Sequence, residues 1–359
     1  MNLEQLGWND FFRAEWNTVE RGSDQAARVI AQHRELWHVA GTFGESRAEP
    51  SGKLRLAVEE GGDWPAVGDW VSAGGESGQG MLVRGVLPRR SEIVRKTAGR
   101  GVMPQVLAAN VDTILLLMGL DGDFNARRVE RYWSQLGDSG SRVVLLLNKA
   151  DACGDAEASA DEIRRSASGL DVWCASALTG KGLGDIRCYL APGQTIALLG
   201  SSGVGKSTLL NRLLGEEKQA TAEVRKKDSR GRHTTIARQL FFLPGGAMVI
   251  DAPGLRELQL WHAAEGVTQA FGDVENLAER CRFRDCTHSS EPGCAVIRAV
   301  QHGELEPERL DNRRKLLREQ AFLERKLDKG AEAKNRSRMK VLHRAVRQMY
   351  RERDKDGKP

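Results

Sequence analysis

The sequence predicts a multidomain protein: a small N-terminal β-barrel, a central α/β domain built on a parallel sheet, and a helical C-terminal region. Three observations carry that expectation. From Leu36 to about Lys96, short apolar runs such as LWHVAGTF, KLRLAV, PAVGDWVSA and GMLVRGVL are separated by Gly and Pro, as short strands joined by turns would be. From Val111, unbroken apolar runs alternate with helical stretches, the pattern of strands buried on both faces and covered by helices. Beyond Asp251 the alternation stops, and the chain becomes helical and charged, interrupted by a cysteine cluster. A chain of 359 residues can form two or three domains.

Taken in order, residues 1 to about 34 read as a polar, partly helical lead-in to the barrel. PRRSEIVRK closes the barrel with four basic residues on a strand or loop. VDTILLLM is the first buried strand, followed by a helix around Asn125 to Leu136. RVVLLL is the second strand, a helix follows near Ala156 to Ser166, and DVWC is the third strand. After a short helix, QTIALL forms the fourth strand and STLLNRLL the helix behind it. MVI, just before Asp251, is a further strand.

At 40% hydrophobic and 29% charged residues the composition is that of an ordinary water-soluble protein. No apolar run approaches the length needed to span a bilayer, and MNLEQLGWNDFF lacks the basic-then-apolar pattern of a secretory signal. The expectation is a cytoplasmic protein with no membrane partner, whose six cysteines are not a disulfide framework. Cys153, Cys174 and Cys188 are scattered and read as small core residues. The net charge of +5 is unevenly spread: residues 312–359 hold 17 Lys and Arg against 7 Asp and Glu, a net +10 that leaves −5 for the rest. A basic tail on a mildly acidic body points to a polyanionic partner, with a solvated helical tail as the plain alternative.

The motifs carry more. Gly200-Ser201-Ser202-Gly203-Val204-Gly205-Lys206-Ser207 fits G-x-x-x-x-G-K-[ST] between a predicted strand and the helix that continues through Thr208. That is the context a phosphate-binding loop requires. Its backbone N–H groups curl around phosphates at a helix N-terminus, Lys206 reaches the β and γ phosphates, and Ser207 ligates Mg²⁺. Asn148-Lys149-Ala150-Asp151 directly follows RVVLLL. A carboxylate at Asp151 can accept from the N1–H and exocyclic amine of guanine, which adenine cannot match. Asn148 would tie the base to a neighbouring loop, and the Lys149 stem would cover one ring face. Ser176-Ala177, after DVWC, matches the loop whose backbone N–H receives the guanine oxygen.

Asp251-Ala-Pro-Gly254 fits D-x-x-G: the Asp would hold Mg²⁺ through water, and the Gly254 N–H would sense the γ-phosphate. Between the two phosphate motifs, RKKDSRGRHTT (225–235) lacks a core pattern and reads as a switch loop. Thr235 is the expected Mg²⁺ ligand there, with Thr234 the alternative. Leu255 stands where many GTPases place the water-orienting glutamine, so His233 is the candidate catalytic group, with RNA contact or plain solvent exposure as its other readings. The base-reading motifs precede the phosphate motifs, a circularly permuted order. The same sheet can form, because only the chain ends move.

Cys281, Cys286, His288 and Cys294 lie within fourteen positions. Three thiolates and an imidazole make a closed tetrahedral set suited to one structural Zn²⁺, with reduced core thiols as the bland reading and no open position for a catalytic water.

The permuted motif order, the leading barrel, the segments PAVGDWV, GRHTT and DAPG, and the trailing C-x4-C-x-H-x5-C together resemble the ribosome small subunit-dependent GTPase A family. The resemblance covers roughly residues 35 to 300. It implies an N-terminal OB-fold barrel, a central permuted P-loop GTPase domain and a C-terminal helical zinc-binding domain. The corresponding boundaries are an extension over 1–34, an RNA-binding barrel over 35–100, the GTPase domain over 101–258, the zinc domain over 259–311 and a basic helical tail over 312–359. It also implies GTP and GDP as ligands, the small ribosomal subunit and its rRNA as partners, and GTP hydrolysis stimulated by that subunit during its late assembly. A monomer suffices. Arg84, Arg89, Arg90, Arg95 and Lys96 would give the barrel a basic face, Trp64 and Trp70 could stack on bases or pack in its core, and the tail would add phosphate contacts. Two rivals remain: a nucleotide-gated RNA-binding scaffold with negligible hydrolysis, and a permuted GTPase acting on the large subunit. A zinc hydrolase is disfavoured by the closed ligand set.

Overall fold

The computed structural model of the chain describes residues 1–18, 22–33, 36–75, 80–96, 104–167, 169–215, 238–251, 267–268, 270–319 and 321. A short helix α1 (Asp10–Asn17) starts at Asn9, whose side chain accepts from the Phe12 N–H at 3.3 Å. Five strands then close a barrel: β1 (Gln25–His33), β2 (Leu36–Gly41), β3 (Gly44–Pro50), β4 (Trp70–Gly74) and β5 (Met81–Val86). Their order is β1-β2-β3-β5-β4, and β4 pairs back onto β1. β3 and β5 are parallel and the other pairs antiparallel. Helix α2 (Gly52–Glu59), capped by Ser51, fills the connection from β3 to β4. This is an OB-fold.

The barrel begins eleven residues earlier than its apolar pattern suggested. β1 lies inside the stretch expected to be an extension, with Ala26 through Ala31 all buried. It is covered on both faces, so QAARVIAQH shows no period-2 alternation to announce a strand. Trp70 is fully buried beneath Trp8 and Phe12, with ring centroids at 4.6 and 5.8 Å, so the N-terminal helix packs on the barrel. Trp64 is 39% exposed and stacks on buried Trp37.

Much of the supposed basic face is paired with partners in the same chain. Arg89 bonds Asp69, Asp63 and Glu92, Arg90 bonds Asp112, Arg84 pairs with Asp24, and the Arg95 Nε donates to Gln105. The Lys96 side chain lies outside the described residues. The basic segment itself is β6 (Glu92–Lys96), which forms a separate two-stranded sheet with β7 (Pro104–Ala109).

The central sheet contains β8 (Thr113–Gly119), β9 (Arg142–Asn148), β10 (Asp171–Cys174), β11 (Thr195–Gly200), β12 (Arg238–Phe242) and β13 (Met248–Asp251). The order is β10-β9-β8-β11-β13-β12, all parallel except β12. Ile114, Leu116 and Met118 of β8 enter one apolar cluster with Val129, Trp133 and Ile163 from the helices α3 (Ala126–Leu136) and α4 (Ala156–Ser166). Leu115 and Leu117 enter another with Leu209 and Leu210 of α5 (Lys206–Leu214). Both faces are therefore covered, which is why these strands read as unbroken apolar runs.

β12 was not visible in RQLFF. It pairs with β13 on one side and with the barrel strand β1 on the other, at Ala31↔Gln239 and Gln32↔Arg238. Barrel and central sheet thus form one hydrogen-bonded surface. The fully buried Arg28 of β1 reinforces the junction: its guanidinium donates to the carbonyls of Gly68 and Asn110, at 3.3 and 3.2 Å, and of Leu6. Burial pulls its pKa down to about 10.

In the C-terminal region, α6 (Gly272–Ala278), α7 (Ala295–Gln301) and a helix over 307–319 bury Phe271, Val274, Val296, Ala299, Leu310 and Leu316 in the same cluster as α3. Ion pairs seal the seam. Arg309 reaches Glu130 at 2.8 Å and Asp273 on its other side, Asn312 reaches Glu130 at 2.7 Å, and Arg131 reaches Glu319 at 3.0 Å. Arg313 and Arg314, expected in a basic tail, bond Glu275 and the His288 carbonyl with Asp311. Cys153 and Cys174 are half-buried, but Cys188 is exposed: the short turn over Arg187–Tyr189 points Tyr189 inward instead.

Candidate nucleotide site and metal centre

The registers bring Gly119, Asn148, Cys174, Gly200 and Asp251 to the same edge, the carboxyl end of the parallel sheet, where ligands bind in open α/β folds. Three loops from that edge are fastened to one another. The Asn148 Nδ2 donates to the Val204 carbonyl of the phosphate-type loop at 2.7 Å, and its Oδ1 accepts from the Ala177 N–H at 2.8 Å. Asn148 therefore ties the phosphate-type loop to the Ser-Ala loop, and it is buried. Gly205 makes room for it: φ is +102°, and a Cβ there would stand 2.3 Å from the Asn148 Nδ2. Lys206 begins α5 and is buried, its Nζ donating to the carbonyls of Gly200, at 2.6 Å, and Ser201. Val204 is buried, Ser202 and Gly203 are exposed, and Ser207 and Thr208 are half-buried in the first turn of α5.

Lys149 adopts a left-handed backbone, φ +65°, uncommon for a residue with a side chain. Its Nζ pairs with Asp121 at 2.5 Å, and that bond holds the Asp121 carboxyl below its ordinary range. Ala150 is half-buried and Asp151 is exposed beside it. Ser176 is buried, with its Oγ accepting from the Thr179 N–H at 3.0 Å. Asp251 is buried at the end of β13. Asp121 and Asp123 were missed in the sequence. Asp123 accepts from Ser201 and Arg128, which outweighs its partial desolvation and keeps it ionised. Their signal was the acidic pair placed just past the apolar run ending at Gly119. His233, Thr234, Thr235, Gly254 and Leu255 lie outside the described residues.

The metal centre is compact. One ligand atom from each of Cys281, Cys286, His288 and Cys294 lies within 4.8 Å of the others. The Cys281 Sγ is 3.8 Å from the Cys294 Sγ, and these sulfurs are 3.6 and 3.5 Å from the His288 Nδ1. A tetrahedral ion with metal–sulfur bonds of about 2.3 Å and metal–nitrogen bonds of about 2.05 Å needs ligand separations of about 3.8 and about 3.6 Å. The Cys281, Cys294 and His288 donors already stand at the spacing such an ion requires, with the Cys286 Sγ within 4.8 Å of them. Burial favours the neutral imidazole of His288. At Cys281, burial is outweighed by the N–H groups of Ala295 and Val296, which favour the thiolate. The Ile297 N–H likewise points at the Cys294 Sγ, 3.4 Å away. Such outer contacts orient metal ligands.

A family model described as RsgA GTPase matches residues 86–261. The chain is 43% identical to the small ribosomal subunit biogenesis GTPase RsgA of Opitutus terrae, over 97% of each chain. It is 39% identical to the small ribosomal subunit biogenesis GTPase RsgA 2 of Vibrio vulnificus, over 98% of this chain and 96% of that one. Among solved structures, YjeQ from Thermotoga maritima is similar in fold, with a TM-score of 0.61 and 24% identity over 83% of this chain and 99% of that one. YloQ, described as a circularly permuted GTPase, gives 0.58 and 22% over 84% and 97%. Motif order, architecture and relatives agree, and the chain belongs to the RsgA GTPase family of GTP-hydrolysing enzymes.

Proposed function

We propose that this GTPase acts on the small ribosomal subunit and its rRNA, late in subunit assembly, with subunit contact accelerating hydrolysis and hydrolysis releasing the protein. The observation that carries the reading is mechanical. β12, the first described element after the segment 225–235, is hydrogen-bonded to the barrel strand β1. A change at the γ-phosphate thus has a backbone route into the barrel as well as into the C-terminal region that follows Gly254. The relatives' names point to the small subunit.

In this reading Asp151 selects guanine, Asn148 and the Ser176–Ala177 loop frame the base, and Gly200 to Thr208 hold the phosphates. Lys206 leaves its loop carbonyls for the β and γ phosphates. Ser207 and Thr235 would hold Mg²⁺, with Asp251 behind them, and the ion would supply charge neutralisation on the phosphates. Gly254 senses the γ-phosphate, and His233 orients the attacking water in place of a glutamine. Cys281, Cys286, His288 and Cys294 would hold one structural Zn²⁺, which would help hold the C-terminal region together. The protein works as a cytoplasmic monomer. Among the described residues, no helix is long and apolar enough to cross a membrane.

Cosedimentation with separated ribosomal subunits tests the partner. Binding to small subunits with a non-hydrolysable GTP analogue, and weaker binding with GDP, is the expected result; equal binding to large subunits contradicts it. His233→Ala should lower turnover while nucleotide affinity stays near normal, and unchanged turnover removes His233 from the mechanism.

A further inference from the structure

Arg212 has no role in the motifs, yet it sits at the centre of the Ser-Ala loop's hydrogen bonding. The loop's inward N–H groups are already taken. Ser176 donates to the Lys181 carbonyl at 2.9 Å, Ala177 to Asn148, Thr179 to the Ser176 hydroxyl, and Gly180 to the Ser176 carbonyl at 2.8 Å. The Leu178 N–H is the loop amide that no acceptor among the described residues claims. Two carbonyls of the same loop, of Ala177 and Leu178, accept from one side chain: the Arg212 Nε donates to Ala177 at 3.0 Å and the Nη2 to Leu178. Gly180 lets the guanidinium lie along the loop, since a Cβ there would meet the Arg212 Nη1 at 3.1 Å.

We propose that Arg212 is a positioning residue for guanine recognition, fixing the Ser-Ala loop and strengthening the Leu178 N–H as donor to the guanine oxygen. This rests on the base-site reading above. The Ala177 carbonyl and the Leu178 N–H belong to one peptide unit, so a cation bonded to that oxygen polarises that N–H. Arginine suits the task because its rigid fork spans two carbonyls, which a lysine cannot do. Arg212 also sits on α5, whose first residue is Lys206. Six residues of helix at about 1.5 Å each place the two about 9 Å apart along one rigid rod, so the phosphate loop and the base loop keep a fixed spacing. Apart from these bonds the side chain has little structural work. The residue is exposed and borders an open cavity of about 570 Å³.

The test uses the full chain and compares GDP with 6-thio-GDP, which keeps the groups Asp151 would read but replaces the oxygen with a poor acceptor. Wild-type protein should prefer GDP over ADP strongly and over 6-thio-GDP clearly. Arg212→Met should weaken GDP about tenfold, equivalent to about 1.4 kcal/mol, and shrink the preference over 6-thio-GDP, with the apo melting temperature little changed. Arg212→Lys should fall between. If Arg212→Met loses GDP and 6-thio-GDP affinity by the same factor, or loses neither, the proposal is overturned while the base site stands. If the wild type itself fails to prefer GDP over ADP, the base-site reading falls and this inference with it.

Discussion

The nucleotide site and the metal centre are both made of loop residues, but different things hold them in place. At the nucleotide site, the ends of parallel strands set the spacing, and Asn148 and Arg212 lock the loops from either side. Nothing bound is needed for that geometry. At the metal centre the ligands lie between two short helices, α6 and α7, of seven residues each. Under the zinc reading proposed above, an ion between the four ligands would cross-link this segment as the staple a small region needs. The first site is preorganised by the fold, and the second would be held by the ion it is proposed to bind.

Removing the metal should produce the largest effect. Structural zinc contributes on the order of 10 kcal/mol in small domains. Chelation, or Cys294→Ala, should therefore abolish amide protection across 281–301 in hydrogen exchange, while GDP affinity changes by less than about threefold. A nucleotide site that collapses along with the metal centre would break the distinction.

The next effect lies at the seam. Glu130 is buried and its carboxyl is already raised by desolvation, with Arg309 and Asn312 holding it partly down. Arg309→Met leaves that charge exposed to the apolar interior, and breaking a buried pair in this way costs about 3–5 kcal/mol. The sign with pH follows: the folded-state pKa rises further, so the penalty disappears as the carboxyl is protonated in acid and grows as pH rises through that value. Denaturation at pH 4 and pH 7 should show the larger deficit at pH 7.

Inside the nucleotide site, Gly205→Ala should reduce GDP affinity about 100-fold, because its Cβ collides with the Asn148 amide and the φ suits glycine. Smaller still, Asn148→Ala leaves the Val204 carbonyl and Ala177 N–H without their partner. At about 1.4–2 kcal/mol, inside the usual range for an unsatisfied buried group, a roughly 10- to 30-fold loss of GDP affinity is expected by titration, with a lower melting temperature.

The same contrast explains what the sequence disclosed. β8, β9 and β11 announced themselves because both faces are buried and the runs are long, and Asn125 marks the start of α3 as a capping residue should. The phosphate loop and the cysteine cluster are local in sequence, so spacing alone located them. β1 and β12 were missed for different reasons: β1 is buried on both faces, so no alternation marks it, and RQLFF is a short run that pairs with β13 and, more than 200 residues away, with β1. Arg89 looked like a nucleic-acid contact and is the counter-ion of buried Asp69, and nothing in the sequence marked Arg212. Charge is legible in a sequence, but the partner of a charge is set by tertiary placement.

The most direct test of the central claim is GTP turnover by the full chain with purified small or large ribosomal subunits. The account predicts a strong rise with small subunits and little with large ones. Equal stimulation by both would contradict the small-subunit assignment.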